Sequence, residues 1–247
     1  TGGISSLNTR SIKNMEPQFE GGFNIKSVID INKKPISYTI HQTMMRINLD
    51  KPLKPKESFE FSIDWWYNVN DRLEIGGRSG YEFFKKDGNY LYTIAQFFPR
   101  MCVYNDTEGW QNKQFLGSGE FTLPFGDYDV KITVPTDHVV AATGDLVNAE
   151  DILTKVQLER LEKARKSEIE PVFIINEKEA IKNEKGIKKG MKTWHFKAKN
   201  VRDFGWASSR KFIWDAMIVR QATKDVLAMS FYLSLIHISE PTRLGFI

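Results

Sequence analysis

Cysteine is all but missing: Cys102 is the only one in 247 residues, so an intrachain disulfide is excluded and the redox compartment stays open. Its neighbours Met101 and Val103 suit a small buried hydrophobe better than a reactive thiol. Histidine is scarce as well. None of His41, His138, His195 and His237 is followed by Glu or has a second His four residues on. That removes the helical His-Glu-x-x-His arrangement, in which two imidazoles share a face to bind a metal and the Glu activates water. The chain also lacks a Gly-x-Ser-x-Gly elbow, a phosphate-binding Walker loop and a dinucleotide fingerprint; Gly117-Ser118-Gly119 reads as a turn before a strand, because no helix follows. No apolar run is long enough for a membrane-spanning helix. Charge of one sign is not in excess either. The 35 basic residues against 31 acidic ones leave +4, intermixed except for a Lys-rich stretch from Lys178 to Lys192, too small an imbalance for a nucleic-acid partner. The start at Thr1 shows no basic-then-apolar leader, which leaves secretion undecided.

Apolar and aromatic residues, by contrast, are plentiful. With 41% hydrophobic and 13% aromatic residues the chain can bury a sizeable core, which argues against disorder. Ser58 to Trp66 alternates, placing Phe59, Phe61, Ile63 and Trp65 on one face and Ser58, Glu60, Ser62 and Asp64 on the other, the pattern of a half-buried antiparallel strand. From Tyr128 to Val134 the alternation recurs, with Tyr128, Val130, Ile132 and Val134 facing in. Shorter strand candidates are Met44 to Leu49, Tyr90 to Phe98, Glu120 to Leu123, Val172 to Ile175 and Thr193 to Ala198. Turn chemistry divides them at Gly76-Gly77, Asp87-Gly88-Asn89, Phe125-Gly126-Asp127 and Gly186 to Gly190. Thr154-Lys155-Val156-Gln157 fits a capping box opening a helix with an apolar stripe of Leu158, Leu161 and Ala164, ended by Pro171. Glu177 to Glu184 is a second short helix candidate. The fold class that follows is mainly β, with antiparallel sheets in a sandwich or saddle and one inserted helical segment at about 151–190.

Few residues point to chemistry. His195, between Trp194 and Phe196 on a predicted strand, reads as a solvated or structurally bonded side chain. Asp106 and Glu108 form the most suggestive acidic pair, in a predicted loop after Asn105; the other ligands of a calcium loop are lacking, so the pair reads as solvated. Trp65-Trp66-Tyr67 and Phe97-Phe98 offer rings for stacking on a sugar. Adjacent positions of a strand face opposite sides, however, which favours core packing or a domain contact.

Three longer segments carry more information when taken in order. The first is Ser58 to Arg72. The second, Ile94 to Leu123, contains Ala95-Gln96-Phe97-Phe98-Pro99-Arg100-Met101, Gly109-Trp110-Gln111-Asn112-Lys113-Gln114-Phe115 and Gly119-Glu120-Phe121. The third, Thr193 to Asp215, contains Trp194-His195-Phe196, Asn200-Val201-Arg202-Asp203-Phe204 and Ser208-Ser209-Arg210-Lys211-Phe212-Ile213-Trp214-Asp215. Together they resemble the amino-terminal domain of zinc aminopeptidases of the alanyl-aminopeptidase type, metallopeptidase family M one, in its Bacteroidetes-like branch, over most of Met44 to Tyr232.

The resemblance implies a parent enzyme that removes amino-terminal residues from peptides, using one zinc ion and a catalytic Glu in a thermolysin-like domain that begins close to where this chain stops. It implies an amino-terminal β-domain over 1–215, with the helical insertion at about 151–190, and the start of the junction to the catalytic domain at 216–232. Since the zinc helix and the Gly-x-Met-x-Asn-type loop are both missing here, no catalytic residue and no metal ligand carries over. The chain itself is therefore expected to hold no cofactor and to show no peptidase activity, zinc being implied for the full-length parent. Its partners would be the missing catalytic domain and, for the parent, peptide substrates. In such enzymes the β-domain walls part of the site around the substrate's free amine, often with a Gln. Gln96 is the nearest candidate, with a ladder-facing structural role as the alternative. Secreted, periplasmic and membrane-associated parents are all compatible with the resemblance.

The end of the chain is different in kind. Leu233 to Arg243, Leu-Ser-Leu-Ile-His-Ile-Ser-Glu-Pro-Thr-Arg, resembles the translation of a transposon adapter used in preparing sequencing libraries. Residues 233–247 are accordingly set aside as an artefactual tail, and the natural chain is expected to be interrupted after Tyr232. Two other functions compete: a free-standing β-sandwich module that recognises carbohydrate or protein, and a peptidase-like scaffold without its metal.

Overall fold

The computed structural model describes residues 19–113, 122–186 and 189–233. Gly117-Ser118-Gly119, the first part of the Glu120 to Leu123 strand candidate, His237 and all of the tail beyond Leu233 lie outside the described residues. Four strands come first: β1 (Asn24–Asp30), β2 (Tyr38–His41), β3 (Met44–Ile47) and β4 (Phe61–Trp66). Next are β5 (Gly80–Phe84), β6 (Asn89–Ile94), and the short β7 (Tyr104–Asn105) and β8 (Gly109–Trp110). The strands β9 (Gly126–Pro135), β10 (Val139–Ala142) and β11 (Asp145–Leu146) lead into the helices α1 (Ala149–Ile152) and α2 (Lys155–Ala164). After them come β12 (Val172–Ile175), α3 (Glu177–Lys185), β13 (Met191–Val201), β14 (Trp206–Ser209), β15 (Phe212–Val219) and β16 (Val226–Leu233). Every ladder between these strands is antiparallel. The fold is mainly β with a few short helices, as the alternation predicts. No described helix is long and apolar enough to cross a membrane.

The chain divides into two compact units, one from Thr1–Asn70 with Phe98–Pro124 and the other from Asp71–Phe97 with Phe125–Ile247. The span assigned from sequence to a single β-domain, 1–215, is thus distributed over both. In the first unit β1 pairs with β4, Val28 opposite Ile63 and Ile25 opposite Trp65. Phe61, Ile63 and Trp65 are half-buried while Ser62, Asp64 and Trp66 are exposed, the alternation expected of a one-sided sheet. The strand starts at Phe61 rather than Ser58, because β1 ends opposite it at Asp30 and leaves residues 58–60 no ladder to join. Phe59 therefore stays 40% exposed, its ring 5.9 Å from that of Phe61.

The second unit contains three sheets, with strand orders β10-β14-β6-β5, β11-β13-β9 and β12-β15-β16. Along β9, Tyr128, Val130, Ile132 and Val134 turn inward and Asp129, Lys131 and Thr133 outward. Trp194 and Phe196 of β13 sit opposite Ile132 and Val130, both almost fully buried. Gly144 makes the approach of the β10–β11 turn possible: its φ is +90, and a Cβ there would stand 2.4 Å from the carbonyl oxygen of Lys197. The strand β15 crosses position 215 without a break and pairs with β16 from Phe212↔Leu233 to Val219↔Val226. Of the residues assigned to a junction, 216–232, those at 216–219 and 226–232 lie in these two strands.

Local chemistry sets the helices. Thr154 accepts the N–H of Gln157 at 3.3 Å while the Gln157 amide accepts the Thr154 N–H at 2.9 Å, the capping box foreseen in sequence. Asn176 and Glu179 form a second box at the start of α3. Leu161 and Ala164 of α2 are buried and Leu158 is half-buried. The helix ends at Ala164, well before Pro171, since the N–H groups of Lys166 and Ser167 turn back to the carbonyls of Lys163 and Ala164. Arg160 then ties α2 to its surroundings, donating to the Ile174 carbonyl at 3.1 Å and to Glu179 at 2.6 Å.

Two buried polar groups sit around the connection between β14 and β15. The Lys211 side chain has no exposure at all. Its ammonium donates to Asp87 in the β5–β6 turn, lies 3.5 Å from Glu184 at the end of α3, and sits 5.1 Å over the Phe84 ring. Burial alone would raise the Asp87 carboxyl, but hydrogen bonds from Lys211 and from the Asn89 N–H at 3.0 Å outweigh it and hold the group below the usual range. Nearby, the Nδ1 of buried His138 is 2.8 Å from Ser208 Oγ. Burial first, then the Arg210 charge, lowers its pKa to about 4, against a weaker pull from Asp137.

Removing the ammonium strands two carboxylates, so Lys211→Met should cost about 3 kcal/mol in urea unfolding at neutral pH. Adding Asp87→Asn and Glu184→Gln should recover most of that loss; no recovery would mean that the stem, not the charge, matters. For His138 the folded pKa lies below the unfolded value near 6.5, so the unfolded chain binds the extra proton. Stability should be complete above about pH 6.5 and fall by on the order of 3 kcal/mol as the pH drops toward about 4, and His138→Asn should flatten that slope.

Candidate functional site

Gln96 is the one residue that sequence nominates for a site, and its position is set by the end of β6. Ile94 is buried and pairs with Trp206. Past it, the Ala95 N–H donates to Ser79 Oγ at 3.1 Å, and the Ser79 hydroxyl lies 3.2 and 3.3 Å from the Thr93 and Ala95 carbonyl oxygens. On the other side Gly205 is fixed by Thr143, donating its N–H to Oγ1 at 3.1 Å and accepting the Thr143 N–H at 3.0 Å. A Cβ on Gly205 would approach the Ile94 carbonyl to 3.4 Å. The ring of Phe97 meets Trp206 edge-on at 6.2 Å. Between these clamps Gln96 takes a φ of +52, uncommon for any residue but glycine.

The ladder ends at Ile94, so Gln96 lies past it, in the bend that follows β6. Its side chain is exposed and makes no hydrogen bond to another described residue. An amide in this setting presents one carbonyl acceptor and two N–H donors to whatever approaches.

The remaining sequence candidates are engaged elsewhere. His195 Nε2 is 2.6 Å from Asp129 Oδ1, and Lys197 reaches Oδ2 at 3.1 Å. Those two hydrogen bonds hold the Asp129 carboxyl below the usual range, so His195 is structurally bonded, one of the two roles expected of it. Glu108 pairs with Lys113 at 3.5 Å, and its N–H, like that of Thr107, is taken by Asn105 Oδ1. Cys102 is half-buried with its sulfur 3.9 Å from Met44 Sδ. Trp65 and Tyr67 stack at 6.0 Å with Phe23 against both, while Trp66 turns outward. No three His, Cys, Asp or Glu side chains come together among the described residues as a metal would need.

One feature escaped sequence reading. In the β5–β6 hairpin Tyr81 pairs with Tyr92 and Phe83 with Tyr90, which puts four rings on one face. Phe83 and Tyr90 are 4.7 Å apart, Tyr81 and Tyr90 5.7 Å, and Tyr90 and Tyr92 5.9 Å. Phe83 and Tyr90 remain 36% and 37% exposed. The signal was present as Tyr-x-Phe and Tyr-x-Tyr on either side of Asp87-Gly88, but joining them requires the hairpin register.

No family model and no curated protein matches the chain. Among solved structures it is similar to an M1 zinc metallopeptidase from Deinococcus radiodurans, at 15% identity and a TM-score of 0.47, over 87% of this chain and 38% of that one. A mutant of the Deinococcus radiodurans protein bound to a Tyr-Ser-Ala substrate gives 14% identity and a TM-score of 0.47. A mutant two-domain M1 zinc metallopeptidase bound to L-arginine gives 14% and 0.45, with the same coverage. The chain spans well under half the length of these structures.

The left-handed backbone at Gln96 makes a measurable claim. Gln96→Gly should raise stability by up to about 1 kcal/mol and Gln96→Val should lower it by about as much, read from thermal melts. Equal melting temperatures for the two variants would show that the bend is not strained.

Proposed function

We propose that the chain is the amino-terminal, non-catalytic β-domain of a zinc-dependent aminopeptidase whose parent removes amino-terminal residues from peptides. Both compact units and the helical segment at about 151–190 belong to that domain in this reading. The observation that carries it is the in-order resemblance of Ser58–Arg72, Ile94–Leu123 and Thr193–Asp215 to that family. The third segment holds residues on which the packing depends, among them Trp194, Phe204 and Trp214, each no more than 2% exposed.

In this reading zinc and the peptide substrate belong to the parent. The described residues do not gather a ligand set, so no step is assigned to a metal on them. Hydrolysis needs a Lewis acid or a positioned base to polarise the carbonyl and activate water, and the missing catalytic domain supplies both. What this chain contributes is a wall. Gln96, held out past the end of β6, would accept an N–H of the substrate's free ammonium on its amide carbonyl and so fix which end of the peptide enters. The binding-module alternative draws on one observation, the ring face of Tyr81, Phe83, Tyr90 and Tyr92.

The purified chain should bind no stoichiometric zinc by elemental analysis and release no amino acid from an aminoacyl reporter; chelator-sensitive turnover would overturn the proposal. In the parent enzyme Gln96→Ala should raise KM about tenfold or more, the value of a hydrogen bond to a charged group, with kcat changed far less. An unchanged KM would remove Gln96 from the site.

A further inference from the structure

Sheet edges expose rows of unpaired N–H and C=O groups, and folded proteins defend them with charge, proline, bulges or short length. The second unit follows that rule at nearly every edge. β5 is covered by the Asp71↔Tyr81 bridge, with the Arg72 N–H donating to the Tyr81 carbonyl at 2.9 Å. β9 carries exposed Asp127, Asp129 and Lys131 and ends at Pro135. β12 has four residues, follows Pro171, and is bulged between Phe173 and Ile175. β10 has four residues and β11 two.

β16 has none of these defences. Its eight residues, Val226-Leu-Ala-Met-Ser-Phe-Tyr-Leu233, include no charge, no Pro and no Gly. Among the described residues it pairs only with β15, in unbroken register along its whole length. One face carries half-buried Leu227, Phe231 and Leu233 and, between them, exposed Met229, and on the other Val226, Ala228, Ser230 and Tyr232 are exposed. The Tyr232 hydroxyl donates to Asp215 Oδ2 at 2.9 Å, so it is already committed. A strand with no charge has nothing to select a charged or polar peptide, but it matches another uncharged strand well, and its own sequence is one.

We infer that the free edge of β16 pairs antiparallel with β16 of a second copy of this chain, joining two three-stranded sheets into one of six. A two-fold axis perpendicular to the sheet keeps each face on its own side, so only residues of the same face can lie opposite one another. The register centred on Met229 satisfies this: Val226 faces Tyr232, Leu227 faces Phe231, Ala228 faces Ser230, and Met229 faces itself. No like charges meet anywhere in it. The inference is independent of the proposed peptidase parentage, because it uses only the strand and its edge.

The test is the mass of the full chain by light scattering as concentration rises. The expected result is a reversible passage from monomer to twice that mass. Met229→Lys places two ammonium groups directly opposite each other and should hold the protein monomeric, as should Met229→Glu. Mixing the two variants should restore a dimer, since the central pair becomes Lys against Glu; misfolded variants would give no such rescue. A wild-type chain that stays monomeric overturns the proposal, as does a dimer indifferent to both substitutions or a mixture that fails to pair. A dimer that forms only after the chain is shortened to end at Leu233 also overturns it, because the tail would then occupy the edge.

Discussion

The second unit is organised around a single buried ammonium. Lys211 sits at the connection of β14 and β15, with no exposed surface, and faces carboxylates from a hairpin turn and a helix end. Without the ammonium both carboxylates would lose their cation in a largely buried place, and without them the ammonium would be buried unpaired. This mutual requirement fixes where the β5–β6 turn and the end of α3 must come. The neighbouring residues complete the arrangement: Ser209 Oγ donates to the Tyr90 carbonyl at 2.8 Å, and Arg210 reaches Asp137 at 2.8 Å. The connection therefore acts as a polar clamp on the β5–β6 turn and the end of α3.

What the clamp holds steady is the sheet that carries both functional candidates. β6 runs from Asn89 beside the clamp to Ile94 at the far end, past which Gln96 takes its left-handed turn. The same strand supplies Tyr90 and Tyr92 to the aromatic face. A residue presented from the end of a rigid strand is placed more accurately than one on a long loop; under the proposed function this would let Gln96 orient a ligand held mostly by the catalytic domain. Lys211 is buried and ion-paired, whereas the Gln96 side chain is exposed.

Sequence showed some of this plainly and hid the rest for identifiable reasons. β9 and β13 were legible because one face is buried and the other solvated, so Ile132 and Trp194 alternate with Lys131 and His195. The first capping box was legible because it is local. β1 was not, since its bulge between Ile25 and Ser27 breaks the alternation of Ile25, Val28 and Ile29. β15 is buried on both faces over most of its length and has no period to detect; it entered only through the family resemblance. Lys211 looks like a surface turn lysine, because its partner Asp87 lies 124 residues away. The bend at Gln96 left no trace at all, as nothing in Ala-Gln-Phe requires a positive φ.

The proposed parentage turns on what the gene encodes beyond this strand-rich piece. The most direct measurement is to read an uninterrupted genomic copy past the codon for Tyr232. The expected finding is an open frame that goes on to encode a helix bearing His-Glu-x-x-His. A stop codon soon after Tyr232, or a following domain with no such helix, would contradict it.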